Sequence, residues 1–305
     1  MLMLKHQWFE ELRGIITQGI LRIDEPLNKY TMTKLGGTAD VLVIPGTIEE
    51  MEATVRYAYE KDIPLLLLGN GSNMVVRDGG VRGIVLHLSK LNMIRVDGVK
   101  VHAEAGALII DASKQAAAAS LTGLEFACGI PGSIGGAMAM NAGAYGGEIK
   151  DIIVQCTVLT KSGERLVLSK DELELGYRKS IIASEGYYVI SADFELAEGD
   201  KEEIDAKVAD LTYQRESKQP LEYPSAGSVF KRPPGYFAGK LIQDCGLQGK
   251  GHGGAEVSMK HAGFIVNKNE ATASDYIATI NMVKSEVKKR FDVDLELEVK
   301  IVGEE

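Results

Sequence analysis

The residues best suited to chemistry lie in two glycine-rich runs, and the chemistry they suit is the holding of an anion by backbone. The longer run, residues 129–147, reads GIPGSIGGAMAMNAGAYGG and places seven glycines in nineteen positions. Glycine loses more conformational freedom on folding than any other residue. Such density persists where backbone must turn sharply or lie directly against another group. Amide N–H groups left over by such turns form concavities that bind anions. With few large apolar side chains, the run is expected to stay out of the core. The shorter run, Gly69-Asn70-Gly71-Ser72-Asn73, stands between Leu65–Leu68 and Met74–Val76. It is not a P-loop, because no Lys-Ser or Lys-Thr follows. Nor is it a dinucleotide fingerprint: Met74 stands where the third glycine belongs, and no helix pattern opens there. Alone, either run could be an ordinary hairpin turn. Together they suit one diphosphate gripped from two sides, as a pair of cofactor-binding loops. The candidate ligands are then Gly69, Asn70, Gly71, Ser72 and Asn73 in the first turn. In the second they are Gly129, Pro131, Gly132, Ser133, Gly135, Gly136, Asn141 and Gly143.

The elements that must position these turns can be read in order. Trp8, Phe9, Leu12, Ile15 and Ile16 recur at helical spacing and predict an amphipathic helix over 6–18. Residues 26–40 are turn-rich. Residues 41–44 read as a strand, and Thr47 with Glu50 reads as a capping box opening a helix to about Lys61. The fully apolar Leu65–Leu68 completes a β-α-β unit over 40–69 that runs into the first glycine turn. Strands are expected over 84–88 and 99–105, and an Ala-rich helix over 107–121. Beyond the long glycine run, strands are expected over 152–159, 164–168 and 187–195, with a hairpin turn at 161–164. Between them lies the basic, irregular segment Tyr177-Arg178-Lys179-Ser180. Residues 201–218 form a charged helix leading to a further domain. Residues 219–240 hold four of the eight prolines and include Ala226-Gly227-Ser228-Val229-Phe230-Lys231. Pro- and Gly-rich loops seldom fill cores and often carry sites. Residues 246–254 read as a glycine loop and 264–266 as a strand. Thr272 caps a helix whose apolar face is Tyr276, Ile280, Val283, Val287 and Phe291. The last strand alternates over 293–301, Val293, Leu295, Leu297, Val299 and Ile301 on one face.

The chain has 305 residues, enough for two or three domains. Its net charge of −9 speaks against a nucleic-acid partner, which would want a basic surface. Three dispersed cysteines, Cys128, Cys156 and Cys245, without C-x-x-C, point to a reducing compartment and no zinc site. The five histidines are scattered, and no metal site is expected. No apolar run is long enough to span a bilayer, and the first residues lack a signal-peptide profile. A cytoplasmic location follows, with no membrane association and no protein partner that can be inferred. Taken singly, Ser228 is a turn serine, Arg178 a surface cation, and Glu298 one of a solvated row with Glu296 and Lys300.

Asn70-Gly71-Ser72-Asn73, GIPGSIGGAMAMNAGAYGG, Tyr177-Arg178-Lys179-Ser180, Ala226-Gly227-Ser228-Val229-Phe230-Lys231 and Glu298-Val299 stand in the order found in the UDP-N-acetylenolpyruvoylglucosamine reductase (MurB) family. The chain resembles that family over roughly residues 30–302. The resemblance implies an α+β fold: a two-part FAD-binding domain of the PCMH/VAO type and a C-terminal α+β substrate-binding domain. It implies FAD-binding subdomains over 1–82 and 83–212 and a substrate domain over 213–298, with the tail 299–305 a candidate addition to the first. It further implies non-covalent FAD, NADPH as reductant, and reduction of an enolpyruvyl sugar nucleotide to UDP-N-acetylmuramate for peptidoglycan. The flavin delivers hydride to the terminal enolpyruvyl carbon. Ser228 by motif protonates the adjacent carbon, and Arg178 and Glu298 stabilise the charge spreading into the carboxylate. Asn141 is then expected near the isoalloxazine or the diphosphate, and Tyr177 near the substrate.

No tyrosine-bearing insertion follows Ala226–Lys231, which places the chain with the shorter, type II branch and leaves the groups closing over the nucleotide open. Lys218, Lys231 and Arg232 are candidates for the diphosphate from charge and position. A rival within the superfamily is an FAD oxidase or dehydrogenase of sugar alcohols. Those often attach flavin to a His or Cys near the first turn, and residues 62–80 hold neither. A flavin- or sugar-nucleotide-binding module without catalysis is the other rival, and it has no use for an aligned Ser, Arg and Glu.

Overall fold

In the computed structural model, which describes residues 2–305, the chain divides into two units. The first comprises the chain up to Ile23, Asp40–Asn70 and Gly83–Arg215; the second comprises Asp24–Ala39, Gly71–Arg82 and Glu216–Glu305. Helices and strands are mixed in both, an α+β architecture.

The amphipathic pattern at the start forms the helix Leu2–Arg13, shorter than the expected span because Gly14 and the bonds from Gly14, Ile15 and Ile16 to Glu11 and Leu12 turn the chain. A four-stranded sheet then runs in the order Ile20–Pro26, Thr38–Ile44, Val81–His87, Leu65–Leu68. The β-α-β unit expected over 40–69 is therefore opened out. Val81–His87 lies between its two strands and pairs in parallel with Leu65–Leu68, Leu65 opposite Ile84. The turn 69–73 is no hairpin either, since Met74–Val76 pairs elsewhere.

The first unit also holds an antiparallel five-stranded sheet, ordered Arg165–Ser169, Ile153–Leu159, Tyr188–Glu195, Lys100–Glu104, Ile94–Asp97. The long glycine run contradicts the expectation that it stays out of the core. Its helix Ile134–Ala139 buries Ile134, Ala137 and Met138 completely or nearly so, and Gly135 donates to the Ala105 carbonyl at 2.9 Å. Glycine here serves close approach of a helix to a sheet, with Ile134, Ala137, Met138 and Ala142 turned inward while Tyr145 stays exposed.

In the second unit an antiparallel sheet is ordered Ser225–Ser228, Phe264–Asn267, Ala255–Val257, Gly251–His252. The helix Ala273–Phe291 opens on a capping box of Thr272 and Asp275. It buries Tyr276, Ile280, Val283 and Val287 in the core of this unit, each burial stabilising by about 1.5–3 kcal/mol. The Tyr276 hydroxyl is buried but donates to the Ile265 carbonyl at 3.0 Å. The expected strand over 293–301 forms only as Lys300–Val302, paired in parallel with Met74–Val76. Ahead of it the chain is extended and keeps the alternation, with Leu295 and Val299 buried. Only isolated bonds reach it, such as the bridge of Leu297 to Phe230, so no regular ladder forms.

The capping box expected at the helix Ile48–Glu60 is made only in half. Thr47 accepts from the Glu50 amide, but the Glu50 carboxylate turns away to accept from the amides of Thr17, Gln18 and Gly46 at 2.6, 2.6 and 2.7 Å. Burial raises the pKa of this group, but the three amide donors outweigh it and hold the carboxyl below its ordinary value of 4.5. Its stabilisation is therefore complete above that value and lost as pH falls through the lower folded value. Glu50→Gln keeps the shape but turns an amide N–H₂ toward a backbone donor. It should lower stability by about 2–3 kcal/mol at pH 7. Unfolding midpoints in urea should show the gap to the parent closing below pH 4.5.

Candidate active site

Two glycine turns meet inside the first unit. Asn70 Nδ2 donates to the Pro131 carbonyl at 2.7 Å, and Gly69 faces Ser133 so closely that a Cβ at 69 would stand 2.7 Å from Ser133 Oγ. Ser133 caps the helix Ile134–Ala139 through the Gly136 amide, and the Gly132 carbonyl accepts from Ile109 at 3.0 Å. Beside this junction lies a cavity of about 590 Å³, within the size range of small-molecule sites.

Of the expected cofactor residues, Gly69, Asn70 and Ser133 line the cavity. Its other walls were not foreseen: His87, Leu88, Ser89, Asn92 and Ile94 on one side, and Gly106, Ala107, Leu108, Asp111, Lys114 and Gln115 on the other. The signal that could have found them is Ala105-Gly106-Ala107, a run of small residues between the strand Lys100–Glu104 and the helix Ile109–Ala118. Burial lowers the pKa of His87 to about 4, so its imidazole is neutral at physiological pH. Backbone and small side chains make up the junction, and Lys114 places a cation in the cavity wall. That donor set fits part of an extended nucleotide cofactor.

Further along the glycine run, Asn141 is buried in the left-handed region, φ 45°. Its side-chain amide is committed to protein: Nδ2 donates to Glu148 Oε2 at 2.6 Å and to the Gly176 carbonyl at 3.1 Å, and Oδ1 accepts from the Lys150 amide at 2.9 Å. Ser180 adds a second fastening, its Oγ donating to the Ala139 carbonyl at 2.6 Å while accepting from Ala183. Between these two bolts sits a tight bend, Gly176 bridging Lys179. At its tip Arg178 has φ 54°, a backbone region that a non-glycine residue enters at some energetic cost. The guanidinium carbon of Arg178 lies 5.3 Å from the centre of the Tyr177 ring, within cation–π range. Gly129 lies against the Arg215 side chain, Gly135 against Ala105 and Gly143 against Glu148. These glycines shape the run from behind.

In the second unit, the first turn continues with Gly71, Ser72 and Asn73. Gly71 has φ 61°, and its carbonyl accepts from Met32 at 3.1 Å. Asn73 reaches a distant part of the chain: its Nδ2 donates to the Glu298 carbonyl at 3.1 Å, and its own carbonyl accepts from Lys300 at 3.1 Å. The Glu298 amide in turn donates to the Val229 carbonyl at 2.8 Å. Ser228, at the end of the strand Ser225–Ser228, stands opposite Phe264. It follows Gly227, whose φ of 72° only glycine adopts without strain. Two of the expected catalytic residues, Ser228 and Glu298, are thus brought side by side on adjoining extended segments. Lys231 is paired with Glu296 at 3.3 Å, Arg232 stacks on Phe237, and Lys218 is exposed at the end of the helix Lys201–Lys218. Among the described residues there is no group of three or more His, Cys, Asp or Glu placed to hold a metal ion, and no helix is long and apolar enough to cross a membrane.

Residues 39–169 match the family model described as FAD binding domain, and residues 219–302 match that of the UDP-N-acetylenolpyruvoylglucosamine reductase C-terminal domain. These matches, with the fold, define an FAD-binding oxidoreductase of α+β architecture. The chain is 61% identical to the UDP-N-acetylenolpyruvoylglucosamine reductase of Geobacillus kaustophilus over 94% of both chains. It is 60% identical to that of Exiguobacterium sibiricum over 96% of both. The crystal structure of UDP-N-acetylenolpyruvylglucosamine reductase from Thermus caldophilus superposes with a TM-score of 0.79 at 35% identity, covering 93% of this chain and 99% of that one. The chain belongs to the UDP-N-acetylenolpyruvoylglucosamine reductase family, as its motifs led one to expect.

Proposed function

We propose that this enzyme reduces UDP-N-acetylglucosamine enolpyruvate to UDP-N-acetylmuramate, a peptidoglycan precursor, in the cytoplasm and at the expense of NADPH. The observation that carries the reading is the pairing of the Ser228 segment with the Glu298 segment through Glu298 N–H and Val229 O, at 2.8 Å. It holds a hydroxyl and a carboxyl on neighbouring backbones, as a proton donor and a charge-stabilising partner require.

FAD, held without a covalent bond, would supply the hydride that the reduction requires. Residues 69–73 and Gly129, Pro131, Gly132, Ser133, Gly135, Gly136 and Gly143 would cradle it, by lining the junction or by shaping the run behind it. Asn141 serves by fixing the run's shape and the bend that carries Arg178. Arg178 offers a planar cationic fork to the substrate carboxylate. Glu298 beside that carboxylate must hold a proton, or share one, in order to donate rather than repel. Ser228 gives its proton to the carbon next to the carboxylate. Tyr177, Lys218, Lys231 and Arg232 are the groups proposed for the rest of the substrate. In this division of labour, residues 1–82 and 83–212 serve the flavin and 213–298 the substrate.

Purified protein should be yellow. Acid precipitation should release all of its flavin to the supernatant as FAD, because residues 62–80 contain no His or Cys. Mixed anaerobically with NADPH and UDP-N-acetylglucosamine enolpyruvate, it should yield a product heavier by one dihydrogen on mass analysis. NADPH oxidation that proceeds to the same extent without the enolpyruvyl compound would refute the reading.

A further inference from the structure

The second unit displays two large aromatic side chains that its fold does not use. Tyr236 is 47% exposed and Phe237 62% exposed. They stand on a short loop that is stiff. Pro233 and Pro234 fix two backbone torsions, Gly235 turns the chain at φ 75°, and the Tyr236 amide donates to the Pro233 carbonyl at 3.1 Å. Phe237 is then the residue from which the helix Ala238–Asp244 springs. Arg232 closes the loop from the other end, its Nε donating to the Tyr236 carbonyl at 3.4 Å and its guanidinium 4.0 Å from the centre of the Phe237 ring. A rigid aromatic pair, one ring of which has a guanidinium over it, loses little conformational freedom when a flat ring stacks on its exposed side. Exposed aromatic surface of this kind marks binding sites more often than chance.

What would stack there follows from the rest of this unit. The loop continues directly from Ser228-Val229-Phe230-Lys231, the segment bound to Glu298. The reacting end of the proposed substrate is a small vinyl carboxylate, which offers little surface for affinity. Binding energy must come from remote parts of the molecule. Its far end is a pyrimidine ring joined to a diphosphate, and the loop presents an aromatic face beside a guanidinium. We infer that Tyr236 and Phe237 form the platform for the uracil ring of the sugar nucleotide, with Arg232 aligned toward its phosphates. This rests on the proposed function and adds the residues that grip the nucleotide.

The test is titration calorimetry of uridine diphosphate into the FAD-loaded protein, for the parent and for Phe237→Ala, Tyr236→Ala and Phe237→Trp. Base–aromatic stacking lost on alanine substitution corresponds to about 5- to 150-fold weaker binding. Phe237→Ala should fall in that range, Tyr236→Ala should weaken binding in the same sense, and Phe237→Trp should stay near the parent. Steady-state assays should show KM for the enolpyruvyl substrate raised in the alanine variants with kcat unchanged, the mark of uniform binding. Uridine diphosphate affinity within twofold of the parent in both alanine variants would overturn the inference. So would a parent dimer that Phe237→Ala dissociates with that affinity unchanged, since the surface would then be an interface between copies. Failure of the proposed function itself would look different: no reduced product from the parent enzyme, whatever the calorimetry gives.

Discussion

Replacing Ser228 by alanine should lower turnover by about 10²- to 10⁴-fold, or about 3–5 kcal/mol of barrier, while leaving flavin reduction by NADPH near normal. The substitution keeps the size of the side chain and removes its transferable proton. The backbone around it should hold, because the amide of Val229 is fixed to Gly263 at 3.0 Å and that of Glu298 to Val229 at 2.8 Å. A serine is a weak acid in water. In the proposed reaction it would serve because the carbon to be protonated becomes strongly basic as negative charge accumulates on it. The loss should fall on kcat and little on KM, since the proton moves only in the transition state. Ser228→Cys should restore more activity than Ser228→Ala, as a thiol also donates. Single-turnover reoxidation of the flavin by the enolpyruvyl substrate is the decisive measurement. An alanine variant within about threefold of the parent there would exclude Ser228 as the acid and move attention to Lys231, the next protonated group along the segment.

Arg178→Ala should slow the same reoxidation by about 10²- to 10³-fold, the usual effect of removing one preorganised donor from developing charge. Flavin content and its bleaching by NADPH should persist, because the bend that carries Arg178 is anchored by Asn141 and Ser180. Arg178→Lys should recover only part of the loss: an ammonium keeps the charge but not the planar fork. A third variant separates position from charge. Arg178 has φ 54°, a conformation that glycine enters freely, so Arg178→Gly removes the side chain with no added backbone strain. It should be as slow as alanine in reoxidation. Purification of any of these proteins without flavin would show that the residue serves the cofactor instead.

Part of the candidate site was legible because it is built around glycine-rich backbone turns. Glycine-rich turns are visible wherever they occur, and Asn70, Ser133, Ser228 and Glu298 lie in or beside such turns or on a strand-like alternation. What escaped reading depends on partners far off in sequence. Glu50 sits at the right distance from Thr47 for a capping box, yet the amides of Thr17 and Gln18 from a distant loop, with that of Gly46 just ahead of the cap, compete for its carboxylate and win. Residues 293–299 alternate as a strand should, but pairing needs a neighbour, and only isolated bonds reach them. Asn141 has the composition of a ligand in a ligand-binding run, yet all three of its bonds run to protein. His87 and Lys114 line the cavity from separate elements that no local pattern joins.

The bond from Asn73 to the Glu298 carbonyl spans 225 residues of sequence, and that separation bears on the order in which the protein can be made. The first unit has all of its chain by Arg215. The second is assembled from three stretches, and its helix Ala273–Phe291 and the strand that pairs with Met74–Val76 belong to the last of them. On a ribosome, domains fold as their chain emerges, so the flavin-binding unit has its full complement while Asp24–Ala39 and Gly71–Arg82 still wait for their partners. Closing loops of this length is slow compared with local contacts. The Ser228 segment and its partner at Glu298 are therefore set in place at the end of folding, together with Gly71, Ser72 and Asn73 of the first glycine turn, while Gly69 and Asn70 can meet the long glycine run as soon as the first unit folds.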